Sequence, residues 1–129
     1  MSRENLEALR AVYEELAKGN MQAGSELFAA DVSYEPIADG PAFLNRDQAE
    51  KFMREFLEQW DDFRIDAKDF EEFGDTILVT EHQSGTGRTS RIEIDMTNYA
   101  AWTFRGPEVI RARWRMNRDD ALDGAGEDG

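Results

Sequence analysis

The clearest pattern in the chain is an alternation of apolar and polar residues between Arg91 and Met116. In residues 91–104 the even positions are apolar except for Asn98, and most odd positions are polar or charged. Turn-forming residues at 105–108 separate this run from a second alternating run. A period of two is typical of a strand with one buried face, so the stretch predicts an antiparallel β-hairpin.

Residues of different size face each other across this hairpin. If even positions pair with even positions, Trp102 lies opposite Ala112 and Ala100 lies opposite Trp114. Each tryptophan then faces an alanine across the ladder. This pairing leaves room for a groove lined by two indole rings.

The length of the first hairpin strand predicts a curved sheet. A straight strand over residues 91–104 would be about 46 Å long, whereas a compact domain of this size is about 35 Å across. We therefore expect the strand to bend at a bulge. In the second strand we expect Ile110 to point inward and Val109 to point outward.

Helical spacing of apolar residues marks three earlier stretches. Residues 3–18 predict an amphipathic helix that ends at Gly19. A shorter helix is expected from residue 21 to Asp31, before a short strand at 32–36. Residues 46–60 predict a third helix, capped by Asp47 and with a wide apolar stripe that ends at Trp60.

The rest of the chain completes one domain. Strands are expected at 63–73, with a bulge between Ala67 and Phe70, and at 76–84 after a turn at Gly74. We place the folded domain at residues 1–118. Residues 119–129 are acidic and rich in glycine, which predicts a disordered tail.

Composition narrows the classes of partner. The chain has 129 residues, with 28 acidic side chains against 15 basic ones and a net charge of −13. This charge argues against nucleic acids and anionic membranes as partners. Cys is absent and one His is present, so neither a disulfide nor a metal site is expected. Without a leader segment or a long apolar run, a cytoplasmic location is expected.

Three segments resemble the nuclear transport factor 2-like superfamily. They are RAVYEELAKGNMQAGSELFAADVSYEP, FLEQWDDFRIDAKDFEEFGDTILV and AAWTFRGPEVIRARWRM. They look most like the SnoaL-like branch, which includes polyketide cyclases and is similar to the ketosteroid isomerases. The resemblance implies an α+β cone, in which a curved antiparallel sheet wraps over three N-terminal helices.

The ketosteroid isomerases suggest positions for catalytic groups. Their base is an acid directly before a proline at the end of the first strand, and Glu35 matches it. Their oxyanion hole uses a tyrosine and a protonated aspartic acid, and Val12 and Ala100 stand at these positions, with Tyr13 one residue away. Met53 replaces a further tyrosine of that pocket. The resemblance thus implies a retained base without an oxyanion hole, so steroid isomerisation is not expected.

Three polar residues are candidates for acid–base chemistry or ligand contact, each with a plainer alternative. Glu35 at the mouth of an apolar cavity would be desolvated, which suits a general base; the alternative is a surface carboxylate. His82 facing inward could shuttle protons; the alternative, which we favour, is a solvent-facing strand residue. Because His82 follows Glu81, a one-residue change of register decides which of the two faces inward. Asn98 could orient a ligand carbonyl or bond to a bulged backbone.

Large apolar residues from several elements form either a ligand cavity or an ordinary core. The family resemblance, in which this face holds a ligand, favours a cavity. No cofactor is expected. The predicted ligand-contacting set is Val12, Tyr13, Phe28, Met53, Trp60, Asn98, Ala100, Trp102 and Trp114.

The outer face of the hairpin combines apolar and basic residues. Tyr99 and Ala101 are apolar on a face that should be exposed to solvent, and Arg113 and Arg115 follow on the next strand. This surface predicts a homodimer. A solvated face with surface ion pairs is the alternative.

These patterns predict a protein that binds a small, largely apolar molecule. Cofactor-free acid–base chemistry of the isomerase or cyclase type would use Glu35 as the base. The alternative is a non-catalytic ligand-binding or dimerisation module of the same fold. A second alternative, epoxide hydrolysis, resembles another branch and needs an inward Asp–Arg–Asp set that the predicted strands do not offer.

Overall fold

The computed structural model describes residues 2–20, 23–36 and 42–123. The strands form one five-stranded sheet with the order β1-β5-β4-β3-β2. In chain order the elements are α1 (Ser2–Ala17), a 3-10 turn (Ser25–Leu27), β1 (Phe28–Glu35), α2 (Arg46–Leu57), β2 (Trp60–Phe73), β3 (Thr76–Gly87), β4 (Glu93–Arg105), β5 (Glu108–Arg115) and α3 (Arg118–Ala121).

The sheet is mixed, because its edge strand β1 runs parallel to β5 while β2 to β5 form an antiparallel meander. Helix α1 packs against β2, and α2 packs against β1. The main core joins the apolar face of α1 to the inner face of the curved sheet. This arrangement confirms the predicted α+β cone.

The first helix follows its sequence signals closely. α1 buries Leu9, Val12, Tyr13 and Leu16 at helical spacing, and Gly19 after it has φ 97°, as expected of a left-handed C-terminal residue.

The predicted cap and end of the third helix are wrong. Asn45, in extended conformation, accepts from the Gln48 amide at 2.8 Å, whereas Asp47 already lies in the first turn. α2 ends at Leu57, and Trp60 starts β2.

The helix predicted from residue 21 to Asp31 is also wrong in its described part. Only Ser25–Leu27 form a helical turn, and Phe28 already belongs to β1. Both Phe28 and Ala29 are buried, and the pairing with β5 shifts between Phe28 and Ser33. Because of this irregularity, the first part of β1 lacks the alternation of apolar and polar residues that would have predicted a strand. Residues 21 and 22 lie outside the described residues.

The predicted register of the hairpin is confirmed. Trp102 pairs with Ala112 and Ala100 pairs with Trp114. The bulge expected before Phe70 is confirmed as well, since the β2–β3 register shifts between Ala67 and Asp69. The break in the alternation of apolar residues thus predicted the position of this bulge correctly.

A second bulge reverses the predicted orientation at the start of β5. The β4–β5 register shifts after Thr103, so Phe104 pairs with Val109 and Ile110 is the extra residue. Val109 is therefore completely buried, although alternation predicted it outward, and Ile110 is half-buried. One inserted residue inverts the parity of every position beyond it.

The long strand begins two residues later than predicted. Arg91 has φ 60°, and the Gly87 amide donates to the Ile92 carbonyl at 2.8 Å, which closes a turn before Glu93. Ile92 is 65% exposed, so the prediction that it points inward is wrong.

The C-terminal helix covers part of the outer face of the sheet. Asn117 caps α3 by accepting from the Asp119 amide at 2.8 Å, and Ala121 packs with Leu78 and Ala101 in a second apolar cluster. The predicted domain boundary after residue 118 therefore falls inside a packed helix. Residues 124–129 of the predicted tail lie outside the described residues.

Because α3 covers part of the outer face, two residues of the predicted dimer surface are not exposed. Ala101 is 5% exposed in the cluster that contains Ala121. Arg113 is also buried and donates to the carbonyls of Asp120 and Asp123 at 3.3 and 3.0 Å. Neither residue is therefore free on the surface of the monomer. Homodimerisation itself stays a prediction.

Candidate functional site

A cavity of about 330 Å³ lies inside the cone. Side chains from α1, α2 and all five strands line it, and eight of the eighteen described lining residues are aromatic. The lining residues are Leu16, Ala23, Phe28, Tyr34, Pro36, Phe52, Met53, Phe56, Leu57, Trp60, Phe63, Ile65, Glu81, Gln83, Ile94, Met96, Trp102 and Trp114.

Aromatic rings form a continuous series along the cavity wall. The ring centroids of Trp114 and Tyr34 are 5.1 Å apart, and those of Tyr34 and Phe52 are 5.9 Å apart. Phe56 and Trp60 continue the series at steps of 6.0 and 5.9 Å. These separations are typical of favourable aromatic pairs, so the wall is a packed aromatic surface.

One carboxylate, Glu81, lies on this apolar wall. It is fully buried in the middle of β3. Its Oε1 accepts from Asn98 Nδ2 at 2.9 Å, from Gln83 Nε2 at 3.1 Å and from Trp114 Nε1 at 3.2 Å. Its Oε2 accepts from the Tyr13 hydroxyl and, at 3.2 Å, from Trp114 Nε1. Tyr13 in turn accepts from Trp102 Nε1 at 3.0 Å.

Burial raises the pKa of the Glu81 carboxyl, and its hydrogen bonds oppose that rise. Burial also raises the pKa of Tyr13 and of Tyr34, and the nearby Glu81 charge adds to both shifts. Both tyrosines are therefore neutral at physiological pH. Among the described residues of this wall, Glu81 is the other titratable group.

We expect Glu81→Gln to become more stable relative to wild type as pH rises. In the unfolded chain Glu81 ionises near pH 4, whereas burial delays ionisation in the folded protein to a higher pH. The folded wild type therefore loses stability between these two pKa values, and Gln does not titrate. Urea melts of both proteins from about pH 4 upward measure the difference. A constant difference across this range would contradict the prediction.

Two buried polar atoms near the cavity have no hydrogen-bond partner among the described residues. They are Trp60 Nε1 and Asn98 Oδ1. The Trp60 side chain lines the cavity, but its N–H is itself buried.

Glu35 lies on the outer face of the sheet, and the prediction that it lies at the cavity mouth is wrong. In β1, Tyr34 points into the cavity and Glu35 consequently points away from it. Its carboxylate accepts from Arg111 Nε at 2.9 Å, Arg113 Nε at 3.1 Å and Arg115 at 2.8 Å. The parallel pairing of β1 with β5 brings these three arginines to it.

His82 also points away from the cavity, which agrees with the solvent-facing alternative and not with the role of a proton shuttle near Glu35. Its Nε2 lies 2.6 Å from Asp95 Oδ1 on the outer face. Glu81 takes the inward position because it continues the inward parity of Ile77 and Val79. Asn98 lies on the inner face, where its amide bonds to Glu81.

The predicted ligand-contacting residues divide into two groups. Five of them line the cavity: Phe28, Met53, Trp60, Trp102 and Trp114. The other four are buried in the surrounding core: Val12, Tyr13, Asn98 and Ala100. Sequence reasoning left Glu81 undecided and missed Tyr34 and Gln83. The inward parity from Ile77 to Gln83 was an available signal, but Leu78, buried under α3, obscured it.

The sequence model of the SnoaL-like domain matches residues 9–113. The chain belongs to the SnoaL-like domain family. This finding confirms the resemblance on which the fold prediction depended. No curated protein shows significant sequence similarity to this SnoaL-like protein.

Solved structures share the fold of this SnoaL-like protein. A protein from Catenulispora acidiphila with a ketosteroid isomerase-like fold, in complex with trimethylamine, is 18% identical with a TM-score of 0.75, over 93% of this chain and 92% of that one. A candidate SnoaL-like polyketide cyclase from Jannaschia is 15% identical with a TM-score of 0.76, over 96% and 92%. TerC, co-crystallised with polyporic acid, is 17% identical with a TM-score of 0.72, over 95% and 98%. At these identities the similarity shows the fold alone.

Among the described helices, none combines the length and the apolar character needed to cross a bilayer.

Proposed function

We propose that this SnoaL-like protein binds a small, largely apolar molecule in the cavity of the cone. The observation that carries the proposal is the cavity itself, about 330 Å³ and walled by a continuous aromatic series. Cavities of this size with few polar groups are typical of small-molecule sites. Two structures of the same fold hold small molecules, trimethylamine in one and polyporic acid in the other.

The geometry favours binding over acid–base catalysis. A general base needs a free lone pair within reach of the substrate proton. The two oxygens of Glu81 already accept from Tyr13, Gln83, Asn98 and Trp114, which occupies the acceptor capacity of a carboxylate. Glu35 bonds to three arginines on the other face of the sheet. We therefore favour the non-catalytic, ligand-binding alternative.

Epoxide hydrolysis has less support than binding. The epoxide hydrolase branch of this fold activates water with an Asp–Arg–Asp set, so this activity requires Asp and Arg side chains inside the cone. Within the described part of the chain, neither residue type lines the cavity. Glu81 is the acidic residue there, and its partners are neutral donors.

A thermal-shift screen with a matched pair of variants tests the proposal. Ile94 lines the cavity and Ile92, two residues away, is exposed. Ile94→Trp should fill part of the cavity, while Ile92→Trp adds the same indole outside it. The probes are polycyclic, isoprenoid and aromatic compounds. A ligand at a hundred times its dissociation constant adds about 2.7 kcal/mol to the free energy of unfolding.

We expect hits to raise the melting temperature of wild type and Ile92→Trp by several degrees, and to shift Ile94→Trp much less. Shifts of equal size in both variants would place the bound molecule outside the cavity. A screen in which no compound stabilises wild type would overturn the proposal.

A further inference from the structure

The buried carboxylate in the cavity wall has no positively charged partner in the described structure. Glu81 accepts hydrogen bonds from a phenol, two amides and an indole, all of them neutral. Among the described residues that line the cavity there is no Lys, Arg or His. The same sheet provides three arginines for Glu35 on its outer face. A buried charge without a counter-ion is unfavourable, and a cation bound beside it would reduce that penalty.

The wall around Glu81 suits a cation of a particular kind. Trp114 donates to Glu81 at 3.2 Å and packs against Tyr34, whose ring contacts Phe52. Aromatic faces attract cations, most strongly where water is excluded. A primary ammonium has three N–H donors to satisfy, but the acceptor sites of Glu81 are occupied. A fully alkylated ammonium has no N–H donor and needs none of those sites.

We infer that the molecule bound in this cavity carries an alkylated ammonium group, held by the charge of Glu81 and by the aromatic wall beside it. The inference rests on the proposed binding function and specifies the chemical class of the ligand. It also predicts selection against carboxylates and phosphates, because these anions would lie near an uncompensated negative charge.

Binding of such a cation should strengthen as pH rises. In the described part of the chain, the titratable groups that face Glu81 are Tyr13 from α1 and Tyr34 from β1, and burial keeps both neutral. Helix α2 and strand β2 contribute apolar side chains to the cavity wall, and Asn98 and Trp114 face Glu81 from β4 and β5. Because burial raises the pKa of Glu81, its negative charge, and with it the attraction for a cation, is lost on acidification.

Phenyltrimethylammonium and its neutral isostere tert-butylbenzene have nearly the same shape but differ in charge. Comparing their binding therefore isolates the effect of the charge on the ligand. Their dissociation constants are measured by titration calorimetry on wild type, Glu81→Gln and Glu93→Gln. Glu93 is an exposed residue at the start of β4, so its substitution removes the same charge without touching the cavity. Since the chain carries −13 in total, each variant changes the overall field only slightly.

We expect wild type and Glu93→Gln to bind the cation about tenfold or more tightly than the isostere near neutral pH, and Glu81→Gln to lose this preference. In wild type the preference should also shrink as the pH is lowered from neutral. This pH dependence is measured on wild type alone, so it tests the inference even if Glu81→Gln does not fold.

Two results would overturn the inference, and they differ in what they imply for the proposed function. If wild type binds the isostere as tightly as the cation at every pH, the cavity binds apolar molecules without a preference for charge. If wild type binds neither compound and the thermal-shift screen has no hits, the proposed binding function fails as well.

Discussion

Replacing Trp102 with alanine is expected to lower the free energy of unfolding by about 4 kcal/mol. Trp102 is 3% exposed and packs edge-on against both Tyr13 and Trp114. Its indole N–H also donates to the Tyr13 hydroxyl, which itself bonds to Glu81. The substitution therefore removes a large buried ring and one donor of the buried polar network.

Trp102→Phe is the matched control for this prediction. Phe keeps most of the ring volume but loses the N–H donor, so we expect a loss of about 1–2 kcal/mol. Urea melts at one pH measure both variants. A loss well below 3 kcal/mol for Trp102→Ala would show that the ring borders open space more than packed core.

Replacing Glu35 with alanine is expected to lower the free energy of unfolding by about 3 kcal/mol. The carboxylate accepts from Arg111, Arg113 and Arg115, and its side chain is only 16% exposed. Without it, three positive charges remain close together. The most buried of them, Arg113, keeps the carbonyls of Asp120 and Asp123 as its partners among the described residues. The effect should be smaller at high salt, because the exposed part of the cluster is screened.

Glu93→Ala provides the comparison, since Glu93 is exposed and its loss should change stability by less than about 0.5 kcal/mol. Glu35→Ala should leave the affinity of any cavity ligand unchanged, because the sheet separates the two sites. An equally small effect of both substitutions on stability would show that the arginine cluster does not depend on Glu35. A large loss of ligand affinity in Glu35→Ala would instead indicate that Glu35 contributes to the ligand-binding site.

Period-two alternation was reliable wherever the ladder is regular. It placed Trp102 opposite Ala112 and Ala100 opposite Trp114, because an antiparallel register with even pairing is the simplest way to bury both indoles. It also located the bulge after Ala67, where the apolar phase is broken. It was wrong at Val109 and Ile110, because the bulge there leaves no break in a run of apolar residues.

The candidate site was harder to predict than the fold. Glu35 matched a family position next to a proline, yet its orientation depends on which face of β1 packs on the cone. Glu81 and His82 are adjacent polar residues, and alternation states only that they face opposite sides of the sheet. Packing decided the choice: helix α1 brings Tyr13 to the inner face, where the hydroxyl donates to Glu81.

The amino-acid sequence by itself determined the family, the α+β class, the central hairpin and five of the large apolar residues that line the cavity. Only the tertiary structure decided which carboxylate faces the cavity, which one meets the arginines, and where α3 covers the sheet. The reason is physical: local periodicity defines which residues share a face, whereas strand pairing, bulges and helix packing define where that face points.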